Sequence, residues 1–259
     1  MSPIRQIFIV AVCGSLFGLR CPAQTGIGAD SVWPPDTAVT TDSVSVWAWS
    51  HPHMIIVSVP DTLTFLYRPQ NTLPLDSLAV VEDLRAVVNG SFFDGVRGDA
   101  RHAGWLSLYG KRIMPLMDDR QLTHVVRISN GGKTIECIPV PGFRPSAESG
   151  DLEFQTGPLI LDNGVLREDL IQSSINGSTP HTRTLLAILD RTRVFSVTVT
   201  DRITLSDLGA MLKRLSILRG VRLDVINLDG GSSVALYLRG TQGFNFNAGD
   251  RLPILIGFH

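Results

Sequence analysis

Short apolar runs separated by turn residues dominate the chain from about residue 42, and they predict mostly β-strands. Residues 53–59 (HMIIVSV) and 62–67 (TLTFLY) flank Pro60-Asp61, a pair that is typical of a hairpin or a tight corner. Turns at 110–111, 130–132 and 162–164 contain glycine or asparagine and predict further hairpins. Residues 184–189 and 194–200 form another predicted pair around 190–192.

One segment has the periodicity of a helix, with Thr204 placed as its N-cap, Asp207 three residues later and Gly220 at its end. Its apolar positions share one face: Leu205, Leu208, Met211, Leu212, Leu215 and Leu218. Strands at 221–228, 234–238 and 253–258 follow. Many strands with few helices, not in strict alternation, predict an α+β fold with mixed, largely antiparallel β-sheets, a few packed helices and a single catalytic domain.

The first residues have the three parts of a secretory signal. Arg5 is followed by an apolar run at 7–19, and Cys21-Pro22-Ala23 offers a small-residue cleavage site. The run is shorter than the roughly 20 residues of a membrane span, and Arg20 disfavours lipid attachment at Cys21. We therefore predict a signal peptide at 1–23, a flexible leader at 24–41, a domain at 42–259 and export to the periplasm or the medium, without a membrane span.

Charge and cysteine content narrow the classes of protein further. Without Arg5 and Arg20 the chain keeps 21 basic and 24 acidic residues, which changes the net charge from −1 to −3 and does not suggest a nucleic-acid partner. Cys137 is then the last remaining cysteine of three, so no disulfide within the chain is expected. A hydrophobic core must stabilise the fold, and 44% apolar composition is sufficient for one.

Polar and glycine residues follow predicted strands at three places. At 86–95, Asn89, Gly90 and Asp94 suit a turn at the edge of a cleft, but an ordinary strand exit has the same composition. At 181–184, Arg183 with Thr184 suits a phosphate, although this cluster alone is more typical of a solvated arginine at a strand start. His181 is a candidate acid or base, or a structural histidine.

The third place is 227–233, which reads NLDGGSS. A carboxylate after an apolar strand, followed by two glycines, is held stiffly while backbone N–H groups line a concave site. Taken alone, the segment is as typical of a tight turn, with Asp229 capping its own loop, as of a catalytic loop.

In this order the segments resemble the phosphodiester glycosidase family, over roughly residues 53–258. The matching segments are NGSFF at 89–93, TGP at 156–158, RT at 183–184, Asp201, the helix from Leu205, and NLDGGSS. The chain departs from the family pattern at four positions, each of which adds a side chain near the expected cleft: Ser91, Ala187, Arg202 and Ser232.

The resemblance implies a hydrolase that cleaves the bond between an anomeric sugar carbon and phosphate in a sugar 1-phosphodiester of an envelope or extracellular glycan. Arg183 would stabilise the negative charge of the phosphate. Asp229 would face the sugar or activate water, and Asp201 is a possible second carboxylate. Retention and inversion of configuration both stay open. The expected substrate-binding residues are Asn89, Gly90, Thr184, His181, Gly230, Gly231 and Ser233.

Other functions have less support in the sequence. The nucleophile elbow G-x-S-x-G is absent, and after GGSS only His259 follows. No cofactor or metal is expected, because Asp229, Asp201 and Asn89 do not form a close-spaced acidic loop of the calcium type. A non-catalytic domain that binds a phosphorylated glycan is the main alternative, and a structural envelope protein is a further one. The oligomeric state is open.

Overall fold

The structure, a computed structural model, describes residues 35–40, 44–58, 63–70, 73–95, 100–146, 148, 151–240 and 244–259. These residues contain three α-helices: α1 (Leu75–Val81), α2 (Glu168–Ser173) and α3 (Leu205–Arg219). They also contain nineteen strands: β1 (Thr37–Thr40), β2 (Ser45–Ser50), β3 (His53–Ser58), β4 (Leu63–Tyr67), β5 (Ala86–Asn89), β6 (Phe93–Asp94), β7 (Arg101–His102), β8 (Leu106–Leu108), β9 (Lys111–Met114), β10 (His124–Ser129), β11 (Thr134–Pro139), β12 (Leu152–Thr156), β13 (Leu159–Asp162), β14 (Val165–Leu166), β15 (His181–Leu189), β16 (Arg193–Ile203), β17 (Leu223–Asn227), β18 (Leu236–Leu238) and β19 (Ile254–Phe258).

The strands form three main sheets and one two-stranded ribbon. The largest sheet has eight strands in the order β1-β2-β3-β16-β15-β17-β13-β14. The second has the order β11-β10-β12-β8-β9, the third β18-β5-β19-β4, and β6 pairs with β7. Within the described residues every strand pairing is antiparallel, so the predicted α+β fold with largely antiparallel sheets is confirmed, but its sheets are not mixed.

The eight-stranded sheet separates two hydrophobic cores. On one face, Leu186 and Ile188 of β15 pack in a core that the two smaller main sheets share. On the other face, Leu185 and Ala187 pack in a core with residues of α2 and α3. Because both faces are covered, β15 reads as a continuous apolar run and not as an alternating one.

Most of the predicted local elements are confirmed. The hairpins β8–β9, β10–β11, β13–β14 and β15–β16 all form. The Thr204 side chain caps α3 by accepting from Asp207 N at 3.1 Å, and Gly220 ends the helix with a φ of 64°. The predicted apolar face is wrong at Leu218, which is 45% exposed, because the buried face there passes through Ser216 instead.

Two further predictions concern the chain before β5: the hairpin or corner at 53–67, and the signal peptide and leader. The hairpin alternative for 53–67 is wrong, because β3 pairs with β2 and β16 while β4 pairs with β19 in another sheet. The connecting residues 59–62 lie outside the described residues. The expected signal peptide at 1–23 and most of the leader at 24–41 lie outside them as well, and residues 37–40 of that leader form β1. Among the described helices, none is both long and apolar enough to cross a membrane.

Gly209 allows α3 to pack closely on the eight-stranded sheet. A Cβ atom there would lie 2.5 Å from Leu166 Cδ1 and 2.7 Å from Ile160 Cγ2. We expect Gly209→Ala to lower the free energy of unfolding by about 1–3 kcal/mol through overpacking, although alanine is the better helix former. Denaturant titration measures this, and the exposed neighbour Ala210 provides a control, since Ala210→Gly should cost only about 1 kcal/mol. A stabilised Gly209→Ala protein would contradict the packing argument.

Candidate active site

The three polar clusters found in the sequence meet at one end of the eight-stranded sheet. Strands β15 and β17 are antiparallel, with Leu185 opposite Asn227, so the start of β15 lies beside the end of β17. The loop after β17 is tied to β5 by a hydrogen bond from Asp229 N to Gly90 O at 3.1 Å. It is tied to β15 by Thr182 Oγ1, which donates to Gly231 O at 2.7 Å. Residues far apart in the sequence therefore surround residues 229–231, which we call the DGG loop.

Asn89 connects these segments through its buried side-chain amide. Its Oδ1 accepts from Thr184 Oγ1 at 2.6 Å and from Ala235 N at 3.1 Å, while its Nδ2 donates to Asp229 O at 2.7 Å. Asn89 is 1% exposed and Thr184 is fully buried. The geometry makes both residues supports of the Asp229 loop, and their predicted contact with substrate stays a prediction.

Asp229 is a largely buried carboxylate held by its own loop. Its Oδ1 accepts from Gly230 N at 2.9 Å, and the Ser233 hydroxyl also hydrogen-bonds to the carboxylate. Burial raises the pKa of Asp229 to about 6, and the bonds from Ser233 and Gly230 oppose that rise. Such a group changes protonation state near neutral pH and can act as a base or a nucleophile above its pKa.

The two glycines after Asp229 have different roles. A Cβ atom on Gly230 would lie 2.9 Å from Thr182 O, so this glycine allows the loop to lie directly on β15. Gly231 has a φ of 62°, which favours glycine, and a Cβ there would meet no atom within 4 Å. The loop is thus packed on one side and open on the other. Ser232 is exposed, and Ser233 is half-buried.

Arg183 places a buried positive charge beside this loop. The residue is 3% exposed, and its Nη2 donates to Asn176 O and Thr179 O, both at 2.7 Å, while Nε donates to Ile203 O at 3.3 Å. Burial lowers its pKa to about 10, so it stays charged at neutral pH. No ion pair joins Arg183 to Asp229 or to another described carboxylate. Neutral carbonyls leave its charge uncompensated, which favours binding of an anion.

The other predicted residues lie at the margin of this site. Asp201 is exposed on β16, and its carboxylate accepts from His53 N at 2.8 Å, so the structure gives it a link to β3 and none to Asp229. His181 is half-buried at the start of β15. Burial, and then the positive charges of Arg183 and Arg202, lower the pKa of His181. Both effects favour the uncharged imidazole.

Asn227 and the TGP segment support the end of β17, a role that the sequence did not reveal. Thr156 Oγ1 donates to Asn227 O at 2.8 Å, and Asn227 Nδ2 donates to Gly157 O at 3.0 Å. The TGP and NLDGGSS segments both belong to the motifs that resemble the family, but their spacing in the sequence does not indicate that they are in contact. The loop at 176–179, which receives Arg183, had no sequence signal at all.

No group of three or more histidine, cysteine or acidic side chains with metal-binding geometry occurs among the described residues. Of the three candidate calcium ligands, Asn89 uses its amide for the contacts above, and Asp201 accepts from His53.

Comparison with known proteins defines the class. The family model described as Phosphodiester glycosidase matches residues 82–257, and the chain belongs to that family. The matched range contains Asn89, Arg183 and Asp229. No match was found among the curated protein sequences.

Solved structures share the fold at low sequence identity. The catalytic domain of zebrafish N-acetylglucosamine-1-phosphodiester alpha-N-acetylglucosaminidase, auto-inhibited by its pro-peptide, is 16% identical with a TM-score of 0.59, covering 86% of this chain and 81% of that one. A hypothetical protein from Synechocystis is 13% identical with a TM-score of 0.56, covering 86% of this chain and 63% of that one. A Burkholderia pseudomallei protein described as exported is 8% identical with a TM-score of 0.58, covering 83% and 74%.

The buried Asp229 carboxylate should reduce stability in a pH-dependent way. A folded-state pKa raised from 3.8 to about 6 means that the native protein loses stability from this group as pH rises through that window, by up to about 3 kcal/mol. We expect Asp229→Asn to be more stable than the wild type above pH 6, with the difference shrinking as pH falls to about 4. Denaturant titrations across this range measure it. A difference that does not depend on pH would contradict the raised pKa.

Proposed function

We propose that this protein hydrolyses sugar 1-phosphodiesters, cleaving between the anomeric carbon and the phosphate oxygen to release free sugar and a phosphomonoester. The observation that carries the proposal is the pair of oppositely charged groups, the largely buried Asp229 on the DGG loop and the buried Arg183 at the start of β15. Asp229 and Arg183 flank the same glycine, since a Cβ on Gly230 would lie 3.8 Å from Arg183 Cδ, yet they form no ion pair. A substrate that carries both a phosphate and an electron-poor sugar carbon satisfies both groups.

The chemistry of the substrate decides how the roles divide. A phosphate leaving group is already acidic and needs little protonation, so the site must mainly stabilise its negative charge. Arg183 fits this task, because its guanidinium is charged and nearly removed from water. Asp229 would face the oxocarbenium-like sugar as a nucleophile, or prepare a water molecule as a base. Gly230, Gly231 and Ser233 would orient the sugar or phosphate on the open side of the loop.

Export and the glycan substrate are part of the same proposal. The signal-like segment at 1–23 supports export to the periplasm or the medium, where the substrate would be a phosphorylated glycan of the envelope or of the extracellular space. One structural neighbour is described as exported, which agrees with this location.

Loss of the carboxylate should abolish turnover. Asp229→Asn is expected to stay folded and to lower kcat by at least about a hundredfold, and Arg183→Lys should lower kcat/KM by about tenfold or more, because lysine keeps the charge but lacks the planar fork. A panel of sugar 1-phosphodiesters, with free sugar and phosphomonoester both quantified, measures this. Saturable binding without any product from the wild type would instead establish the non-catalytic alternative, and full activity in Asp229→Asn would refute the assigned role.

The pH dependence of the reaction should report the protonation of Asp229. As a base or nucleophile it must be ionised, so kcat/KM is expected to fall as pH drops below about 6. Ser233→Ala removes a hydrogen bond that lowers the pKa of Asp229, so the acidic limb of the profile should move to higher pH. If the acidic limb does not move in this variant, a group other than Asp229 is responsible for it.

A further inference from the structure

Two arginines and a histidine converge on the loop that precedes β15. Arg183 Nη2 donates to Asn176 O and Thr179 O, and Arg202 Nε donates to Pro180 O at 3.2 Å. His181 follows Pro180 directly and pairs with Ile203 across the β15–β16 ladder, which places it beside Arg202 as well. Two guanidinium groups and one imidazole therefore surround one short loop.

Helix α3 adds to the positive potential at this place. It begins at Leu205, and Leu205 N donates to Gly177 O of the same loop at 3.0 Å. The N-terminal end of a helix carries a partial positive charge. Two carboxylates lie nearby: Asp201 accepts from His53 N, and Asp207, in the first turn of α3, accepts from the N-cap Thr204 Oγ1 at 2.7 Å. Neither forms an ion pair with Arg202.

Arg183 and Arg202 differ in how many of their guanidinium nitrogens are available to a ligand. Arg183 is buried; its Nη2 holds the loop through Asn176 O and Thr179 O, while its Nε donates to Ile203 O of β16. Arg202 is exposed and, among the described residues, bonds only through Nε, so neither of its terminal nitrogens has a described hydrogen-bond partner. A guanidinium with two free terminal nitrogens suits two oxygens of one phosphate.

We propose that Arg202 forms a second anion subsite next to the one at Arg183, and that it binds a further phosphate carried by the aglycone. The preferred substrates are then sugar 1-phosphodiesters whose aglycone bears a second phosphate, as in a chain of repeating sugar phosphates. This inference rests on the proposed function, because it assigns the bridging phosphate to Arg183. Arg202 acts in substrate selection and takes no part in the bond cleavage.

The test compares two substrates that differ only in a terminal phosphate on the aglycone. We expect the wild type to prefer the phosphorylated substrate by about tenfold in kcat/KM, which corresponds to about 1.4 kcal/mol, and Arg202→Gln to reduce this ratio to near one. Arg214 is exposed on α3, so Arg214→Gln removes the same charge and should keep both the ratio and the activity. A ratio that is the same in Arg202→Gln and in the wild type overturns the proposal.

Binding measurements separate this inference from the proposed reaction. Calorimetric titration of the Asp229→Asn protein with inorganic pyrophosphate should show binding that Arg202→Gln weakens about tenfold and Arg214→Gln does not change. If no sugar phosphodiester is hydrolysed but this difference persists, the proposed function fails and the subsite stands. If pyrophosphate does not bind, or binds equally to the parent and to Arg202→Gln, the subsite is refuted whether or not hydrolysis occurs.

Discussion

The side-chain amide of Asn89 is the contact on which the site depends. It joins the end of β5 to Thr184 on β15, to Ala235 before β18 and to the backbone of Asp229. These segments belong to two different sheets and are separated by up to 146 residues. Because the amide is buried, each of these bonds would leave an unsatisfied polar group if it were lost. One asparagine thereby fixes the relative position of the strands that carry Arg183 and Asp229.

The fold tolerates two charged groups away from water at this point. The Asp229 carboxylate has a pKa raised by burial, and the Arg183 guanidinium has a pKa lowered by burial, so each is less stable in its charged form than in water. Neighbouring carbonyls and N–H groups offset only part of this cost, and the two charges do not neutralise each other. Stability given up in this way is typical of sites that bind or transform a charged ligand.

Parts of this arrangement were predictable because they depend on local sequence. The hairpin turns with glycine or asparagine, and the α3 helix between Thr204 and Gly220, follow from backbone preferences of a few adjacent residues. The order of the NGSFF, RT and NLDGGSS segments was sufficient to indicate the phosphodiester glycosidase family, which the family match confirms. The separation of β3 from β4 was not predictable, because pairing partners for a strand lie far away in the sequence.

The sequence by itself determined which residues are candidates for the chemistry and which strands end beside glycines, since both are properties of short segments. Only the tertiary structure decided that Asn89 and Thr184 support the Asp229 loop, that Asp201 bonds to His53, and that Arg183 and Arg202 bond to the same loop. Those outcomes depend on burial and on contacts between distant strands. The protonation of Asp229 belongs to the same group, because only the folded chain removes its carboxylate from water.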